Sequence, residues 1–220
     1  LGIQLSGPCV NESEGTFSVR GNTIRFGLAA IKNVGSSAVK SILASRREEG
    51  PFKSLLDLCE RVDLAAVNSK VLESLVRSGA MDCFGRTRAE LLALLPEAQE
   101  RAMGVQRDRS AGQISLFEAV PAGGEDELPR LGIEEMPEHE ILKAEKQLLG
   151  VYLSGHPLSE HAEELALFSS ASTVEVAERE TLSSIRIAGV ITEIKRKVTK
   201  TGEQMAIVTL EDLEGQVEVV

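Results

Sequence analysis

The feature that most restricts how this chain can fold is a glycine, Gly35, set between an apolar run that stops at it and an amphipathic run that starts beyond it. The stretch Ile31-Lys32-Asn33-Val34-Gly35-Ser36-Ser37-Ala38-Val39-Lys40-Ser41-Ile42-Leu43 reads as helix, hairpin, helix. Gly35 supplies the freedom of φ that a tight turn needs, and Ser36 or Ser37 can cap the next helix. Ala38, Val39, Ile42 and Leu43 recur at helical spacing. A turn of this kind presents backbone amides that no bulky side chain covers, which is a seat for a phosphate, and Lys32 and Lys40 are near enough in sequence to add charge. Contacts of that sort hold a nucleic-acid backbone without reading bases. The plain alternative is a helix C-cap followed by an ordinary helical hairpin.

Charge tests the phosphate reading. A net charge of −10 over 220 residues argues at first against a nucleic-acid partner. The acidity is one-sided, however: residues 1–110 carry 15 Lys and Arg against 13 Asp and Glu, whereas the remainder carries 9 against 21. The hairpin region is therefore able to meet phosphate, although so weakly basic a module needs further contacts beside it. The apolar runs are too short to span a membrane, no signal-peptide pattern opens the chain, and a soluble cytoplasmic location is expected. Cys9, Cys59 and Cys83 are scattered without CxxC spacing, so reduced or incidental thiols are expected rather than a disulfide framework or a zinc site.

Along the chain, Thr16 to Val19 and Thr23 to Gly27 alternate around Gly21-Asn22, a two-residue hairpin turn. The opening residues look like the end of a preceding element, as in a piece of something longer. Phe52, Leu55, Leu56, Leu58 and Cys59 mark a short helix, and Asn68 or Ser69 caps another through Val71, Leu72, Leu75 and Val76. Ser78-Gly79-Ala80 turns into a second hairpin, followed by a helix over Leu91 to Ala102. Arg86 and Arg88 at its start are candidate phosphate contacts, or else solvated arginines.

From Gly104 to Pro137 the periodicity fails, as in a linker. One apolar island, Gln113-Ile114-Ser115-Leu116-Phe117, interrupts it, either as an anchor to its own domain or as a peptide whose Leu116 and Phe117 fill a partner's pocket while Gln113 hydrogen-bonds at the rim. Helical habit returns over 138–168, with Ile141, Leu142, Leu148 and Leu149 inward and Lys143, Glu145 and Lys146 outward. His156 has no accompanying acid, Cys or Ser, and reads as a turn or capping residue. The last forty residues or so are β-like. Lys195, Arg196, Lys197 and Lys200 form a basic turn between the first two strands, placed as single-strand contacts are in an OB-fold, or else simply solvated.

Ile24 to Gly35, Arg77-Ser78-Gly79-Ala80, Gln113 to Phe117 and Leu149-Gly150-Val151-Tyr152-Leu153-Ser154-Gly155-His156-Pro157-Leu158, in that order, resemble the alpha subunit of bacterial DNA polymerase III. The resemblance implies an α+β multidomain fragment: the end of the fingers at 1–26, a mainly α tandem helix-hairpin-helix domain at 27–103, a linker with a clamp-binding peptide at 104–137, a helical connector at 138–180, and an incomplete OB-fold at 181–220. It implies that Lys32, Val34, Gly35, Ser36, Ser37, Lys40, Ser78, Gly79, Arg86 and Arg88 hold duplex DNA and that Gln113 to Phe117 engage the sliding clamp. Single-stranded template and other replisome subunits are implied as further partners. Magnesium is expected in the whole polymerase, on palm-domain aspartates. No closely spaced Asp pair of that kind occurs here, so no cofactor and no catalytic residue are expected in this stretch. A non-enzymatic helix-hairpin-helix adaptor of repair or recombination is the alternative.

Overall fold

The computed structural model describes residues 4–110, 128–178, 184–198 and 202–220. They belong to two compact units, Leu1–Ser154 and Gly155–Val220. The first unit opens with three short strands, β1 (Gln4–Ser6), β2 (Ser18–Arg20) and β3 (Thr23–Arg25), in the order β1-β3-β2. β2 and β3 form the expected antiparallel hairpin, with Arg20 opposite Thr23 and Gly21 at φ +60°, and β1 adds in parallel.

Among the described residues of this unit, five α-helices follow: α1 (Ser36–Glu49), α2 (Leu55–Arg61), α3 (Ser69–Arg77), α4 (Arg88–Ser110) and α5 (Glu138–Leu149). Their ends obey local chemistry. Ser54 accepts the amide of Asp57 at the start of α2, and Asn68 accepts those of Lys70 and Val71 at the start of α3. Gly150, at φ +79°, ends α5 in the left-handed conformation that only glycine adopts cheaply. α4 is longer than its periodicity suggests and continues through Gly104 to Ser110. Packing carries it across that weak former: Ala98 and Ala102 are buried, and Gln106 Nε2 donates to the carbonyls of Cys59, Glu60 and Val62 at the end of α2.

One hydrophobic core joins what the sequence reading divides. Val10 and Phe26 lie in the same buried cluster as Ile42, Leu72, Leu91 and Leu149, and the Val10 amide donates to Ala80 O at 2.8 Å. Residues before the first hairpin therefore belong to the hairpin unit, and the connector divides, with α5 in the first unit and the chain beyond Ser154 in the second.

α5 also corrects a side-chain assignment, because Glu145, expected outside, is only 1% exposed. Its carboxylate meets the Arg88 guanidinium at 3.3 Å and accepts from Leu153 N (2.8 Å), Ser154 N (2.9 Å) and Ser154 Oγ. Arg88 in turn pairs with Asp82 at 2.9 Å. Burial opposes the Glu145 charge, but the Ser154 and Leu153 hydrogen bonds and Arg88 outweigh it and hold the carboxyl below the usual carboxylate range.

The second unit contains a short helix α6 (Ala162–Phe168) and an antiparallel meander of β4 (Val190–Val198), β5 (Gln204–Glu211) and β6 (Gln216–Val219), in that order. His156 acts as read: its Nδ1 accepts the amide of Leu158 at 3.2 Å. Asp212 builds the β5–β6 turn by accepting the amides of Glu214 and Gly215, and it holds Thr173 through both its amide and its hydroxyl. A bulge between Ile191 and Glu193 shifts the alternation by one residue, so Ile191 lies opposite Leu210 and Ile194 opposite Val208, on one face. The molecule is thus α+β, and the antiparallel three-stranded sheet of the second unit is consistent with the opening of an OB-fold. Among the described residues no helix is long and apolar enough to cross a membrane.

Glu145→Ala leaves Arg88 buried without its deeper partner, and the expected loss is about 3–5 kcal/mol in chemical denaturation followed by helical circular dichroism. The acid limb carries a sign. Because the folded pKa lies below the ordinary 4.5, this contribution is complete above that pH and is lost as pH falls through the folded value. Glu145→Gln is expected to flatten that part of the stability–pH curve.

Candidate nucleic-acid interface

The turn before α1 is held from below. Ile31 and Val34 are buried in the core, and the Val34 amide donates to Ile31 O at 3.1 Å. The amide of Lys32 donates to Leu148 O at the end of α5, and Asn33 Nδ2 donates to Ser74 Oγ on α3 at 3.1 Å. Neighbouring helices thus position the turn. Its first arm is one turn of 3-10 helix, Leu28–Ala30, shorter than an α-helix.

The left-handed residue of the turn is Asn33, at φ 71°, and not Gly35. Asparagine tolerates that region better than most residues do, and here its side chain is anchored to α3. Gly35 is the N-cap of α1 in an extended conformation, φ −75° and ψ 164°, which any residue can adopt. A Cβ built on it meets nothing within 4 Å. Neither backbone geometry nor internal packing requires glycine there.

What the missing side chain leaves is an open approach to the first amides of α1. Ser36 and Ser37 are the first helical residues rather than caps, no side chain caps the helix, and no acidic residue lies in its first turn. The positive end of a 14-residue helix therefore faces outward uncovered. Lys32, Gly35, Ser36, Ser37 and Lys40 are all exposed around it. Val34 is the exception: its side chain is in the core and its amide is used, so it serves as the plug that seats the turn. Arg47, exposed and seven residues beyond Lys40, lies on the same face of α1. The heptad-like spacing was there to be read, but the Arg46-Arg47 pair looks like a helix-ending charge run.

The second hairpin is built otherwise. Ser78 is buried and its hydroxyl donates to Leu75 O. Gly79 is at φ +80°, and a Cβ there would come within 2.4 Å of Arg88 Nη2, so this glycine is required by both backbone and packing. Arg88 is buried between Asp82 and Glu145. Arg86 pairs with Glu90 at 3.0 Å and donates to the carbonyls of Leu128 and Pro129. All four of these candidate contacts are thus engaged inside the unit. The α4 N-terminus is occupied as well, because the Glu135 carboxylate accepts the amides of Arg88 and Ala89.

In the second unit, Lys195, Arg196 and Lys197 stand within β4 and not in a turn. Register places Lys195 and Lys197 on the face of Glu193, and Arg196 on the opposite face with Ile191 and Ile194. Lys195 Nζ lies 2.9 Å from Glu193 and 3.7 Å from Glu218. Lys200 and the peptide Gln113 to Phe117 lie outside the described residues. The flanks of that peptide are described: α4 runs to Ser110, and the chain returns at Leu128, which is buried in the core.

Comparison with known proteins agrees with this geometry. A family model described as a helix-hairpin-helix motif matches residues 2–91, which include the first hairpin and the turn of the second. DNA polymerase III subunit alpha of Bacillus subtilis is 39% identical over 220 residues, and that of Thermus aquaticus 39% over 224, each covering 100% of this chain. The same subunit of Saccharopolyspora erythraea is 37% identical over 228 residues, again across 100% of the chain. The chain spans about a fifth of the length of these relatives, 18% or 19%. With the match running end to end and the helix-hairpin-helix unit in place, the chain is similar over its whole length to one segment of the bacterial DNA polymerase III alpha subunits.

Proposed function

We propose that this stretch is the duplex-holding and clamp-tethering part of a replicative, DNA-directed DNA polymerase of the cytoplasm. The observation that carries the reading is Gly35, a glycine that the fold does not need, in front of an uncapped helix terminus flanked by exposed lysines. A missing side chain with no internal use makes sense where something must come close from outside. A phosphate of the DNA backbone fits that position in charge and hydrogen-bonding character. Lys32, Lys40 and Arg47 extend the contact along α1, while Ser36 and Ser37 offer amides and hydroxyls.

Gln113 to Phe117 would be the clamp peptide, with Leu116 and Phe117 as apolar anchors. The described flanks support a tether, since both ends of residues 111–127 are secured to one unit, by α4 on one side and Leu128 on the other. Two weak attachments on one chain gain from effective concentration, by about a hundredfold or more over either alone. For single-strand contact in the sheet, Arg196 and Lys197 are the better placed of the described candidates, because Lys195 is engaged by two carboxylates. On this reading the magnesium belongs to another part of the whole polymerase; among the described residues no three His, Cys, Asp or Glu side chains converge. The role derived for these residues is to bind and orient. The likeness across the whole chain, rather than over the hairpins alone, favours a polymerase over a repair adaptor.

Gly35→Asp separates fold from function. An aspartate is a good N-cap and is expected to stabilise α1 by a few tenths of a kcal/mol while its charge repels phosphate, so thermal stability rises as duplex affinity falls. Lys32→Ala with Lys40→Ala is expected to lower the slope of log affinity against log salt by about 0.9 for each phosphate contact removed. An unaltered slope in a fluorescence-anisotropy titration removes the hairpin contact. Leu116→Ala with Phe117→Ala is expected to abolish binding to the sliding clamp in solution and leave duplex affinity intact; clamp binding at full strength overturns the tether.

A further inference from the structure

Two of the three cysteines, separated by 73 residues of sequence, are brought together in the first unit. The segment carrying Cys9 is laid against the turn carrying Cys83 by the backbone hydrogen bond from Val10 N to Ala80 O at 2.8 Å. Asn11 reinforces this with two 2.8 Å bonds to the Phe52 backbone, and its Nδ2 also reaches Cys83 Sγ at 3.8 Å. Cys83 Sγ thus lies beside Asn11, two residues after Cys9, and the two thiols are near enough to influence each other's ionisation, Cys83 exposed and Cys9 partly so. Cys59, by contrast, is buried in the core away from them.

From this juxtaposition we infer that Cys9 and Cys83 form a thiol pair that a low-molecular-weight disulfide converts to an intrachain disulfide. Cys9 is the attacking group. The neighbouring Cys83 thiol brings the Cys9 thiol down to about 6, past the opposing effect of burial, while Cys9 and burial push Cys83 up. The Cys9 thiolate attacks one sulfur of the reagent; the reagent's S–S bond breaks, and one thiolate leaves and takes a proton. The Cys83 thiol then gives its proton to solvent and attacks the Cys9 sulfur, expelling the second reagent thiolate. Two protein thiols are oxidised and one reagent disulfide is reduced to two thiols, so atoms and electrons balance. Under reducing conditions the pair rests as the dithiol.

The bridge would have a defined effect. It ties the segment whose Val10 and Ser13 carbonyls accept from Arg46 of α1 to the turn whose Asp82 holds Arg88. The two hairpins would then be linked covalently, around the whole first hairpin, where the reduced protein relies on hydrogen bonds and packing.

The test treats the folded 220-residue chain with oxidised glutathione, quenches with an alkylating agent and maps the peptides by mass. The expected product joins the Cys9 and Cys83 peptides, lighter than the separate peptides by two hydrogens, with Cys59 reacting at least about ten times more slowly because burial pushes it up to about 12. Cys83→Ser, at an exposed position, is expected to trap glutathione on Cys9, and Cys59→Ser to leave the bridge unchanged; Cys83→Ala repeats the first with a smaller polar change. Separate glutathione adducts on Cys9 and Cys83 with no joined peptide, or an unmodified Cys9 in Cys83→Ser and Cys83→Ala alike, would overturn the inference.

Discussion

The buried pairing of Arg88 with Glu145 is the constraint on which the arrangement of the first unit rests. A carboxylate that is 1% exposed is tolerable only when its lone pairs are met, and Glu145 meets Arg88, two backbone amides and a hydroxyl. Each partner comes from a different part of the chain: the first residue of α4, the body of α5, and Leu153-Ser154 beyond Gly150. The network therefore fixes where α5 lies against the second hairpin. The loop that follows is fixed with it. α5 in turn presents the Leu148 carbonyl to the amide of Lys32, so a pair buried at one end of the unit helps to position the first turn at another.

The same economy governs the cations. Arg46, Arg61, Arg86 and Arg88 each direct guanidinium hydrogens to backbone carbonyls, and each has an acidic side chain within ion-pair distance. Arginine suits this role, because its planar fork presents several donors in fixed directions and stays charged when buried. Lys32 and Lys40, whose point charges are strongly hydrated, stay on the surface. The division explains how a unit with no excess of positive charge can offer a phosphate a locally positive face: several of its cations are structural, and Lys32 and Lys40 stay exposed beside the uncapped start of α1.

The two glycine turns illustrate how one residue type can serve opposite ends. Gly79 is demanded by its φ of +80° and by the guanidinium that lies where a Cβ would be. Gly35 is demanded by neither, and open space surrounds it. Sequence context does not distinguish them, since both follow an apolar run; backbone conformation and surroundings do. The face on which contact from outside is plausible is the one with room.

Sequence by itself was enough to place most elements. The hairpin at Gly21-Asn22, the cap at Asn68, the short helix at Leu55 and the turn at His156 each depend on neighbours within a few residues, and so does the amphipathic stripe that starts α1. Those signals are local, and local chemistry is what a sequence displays. Tertiary structure alone decided that Glu145 points inward, that Arg86 and Arg88 are unavailable to a ligand, that α4 continues past Gly104, and that Cys9 meets Cys83. In each case the deciding partner is remote in the chain, Glu145 lying 57 residues from Arg88. Whether a charge or a thiol faces water or a partner is settled by what packing brings beside it, and periodicity holds no record of that.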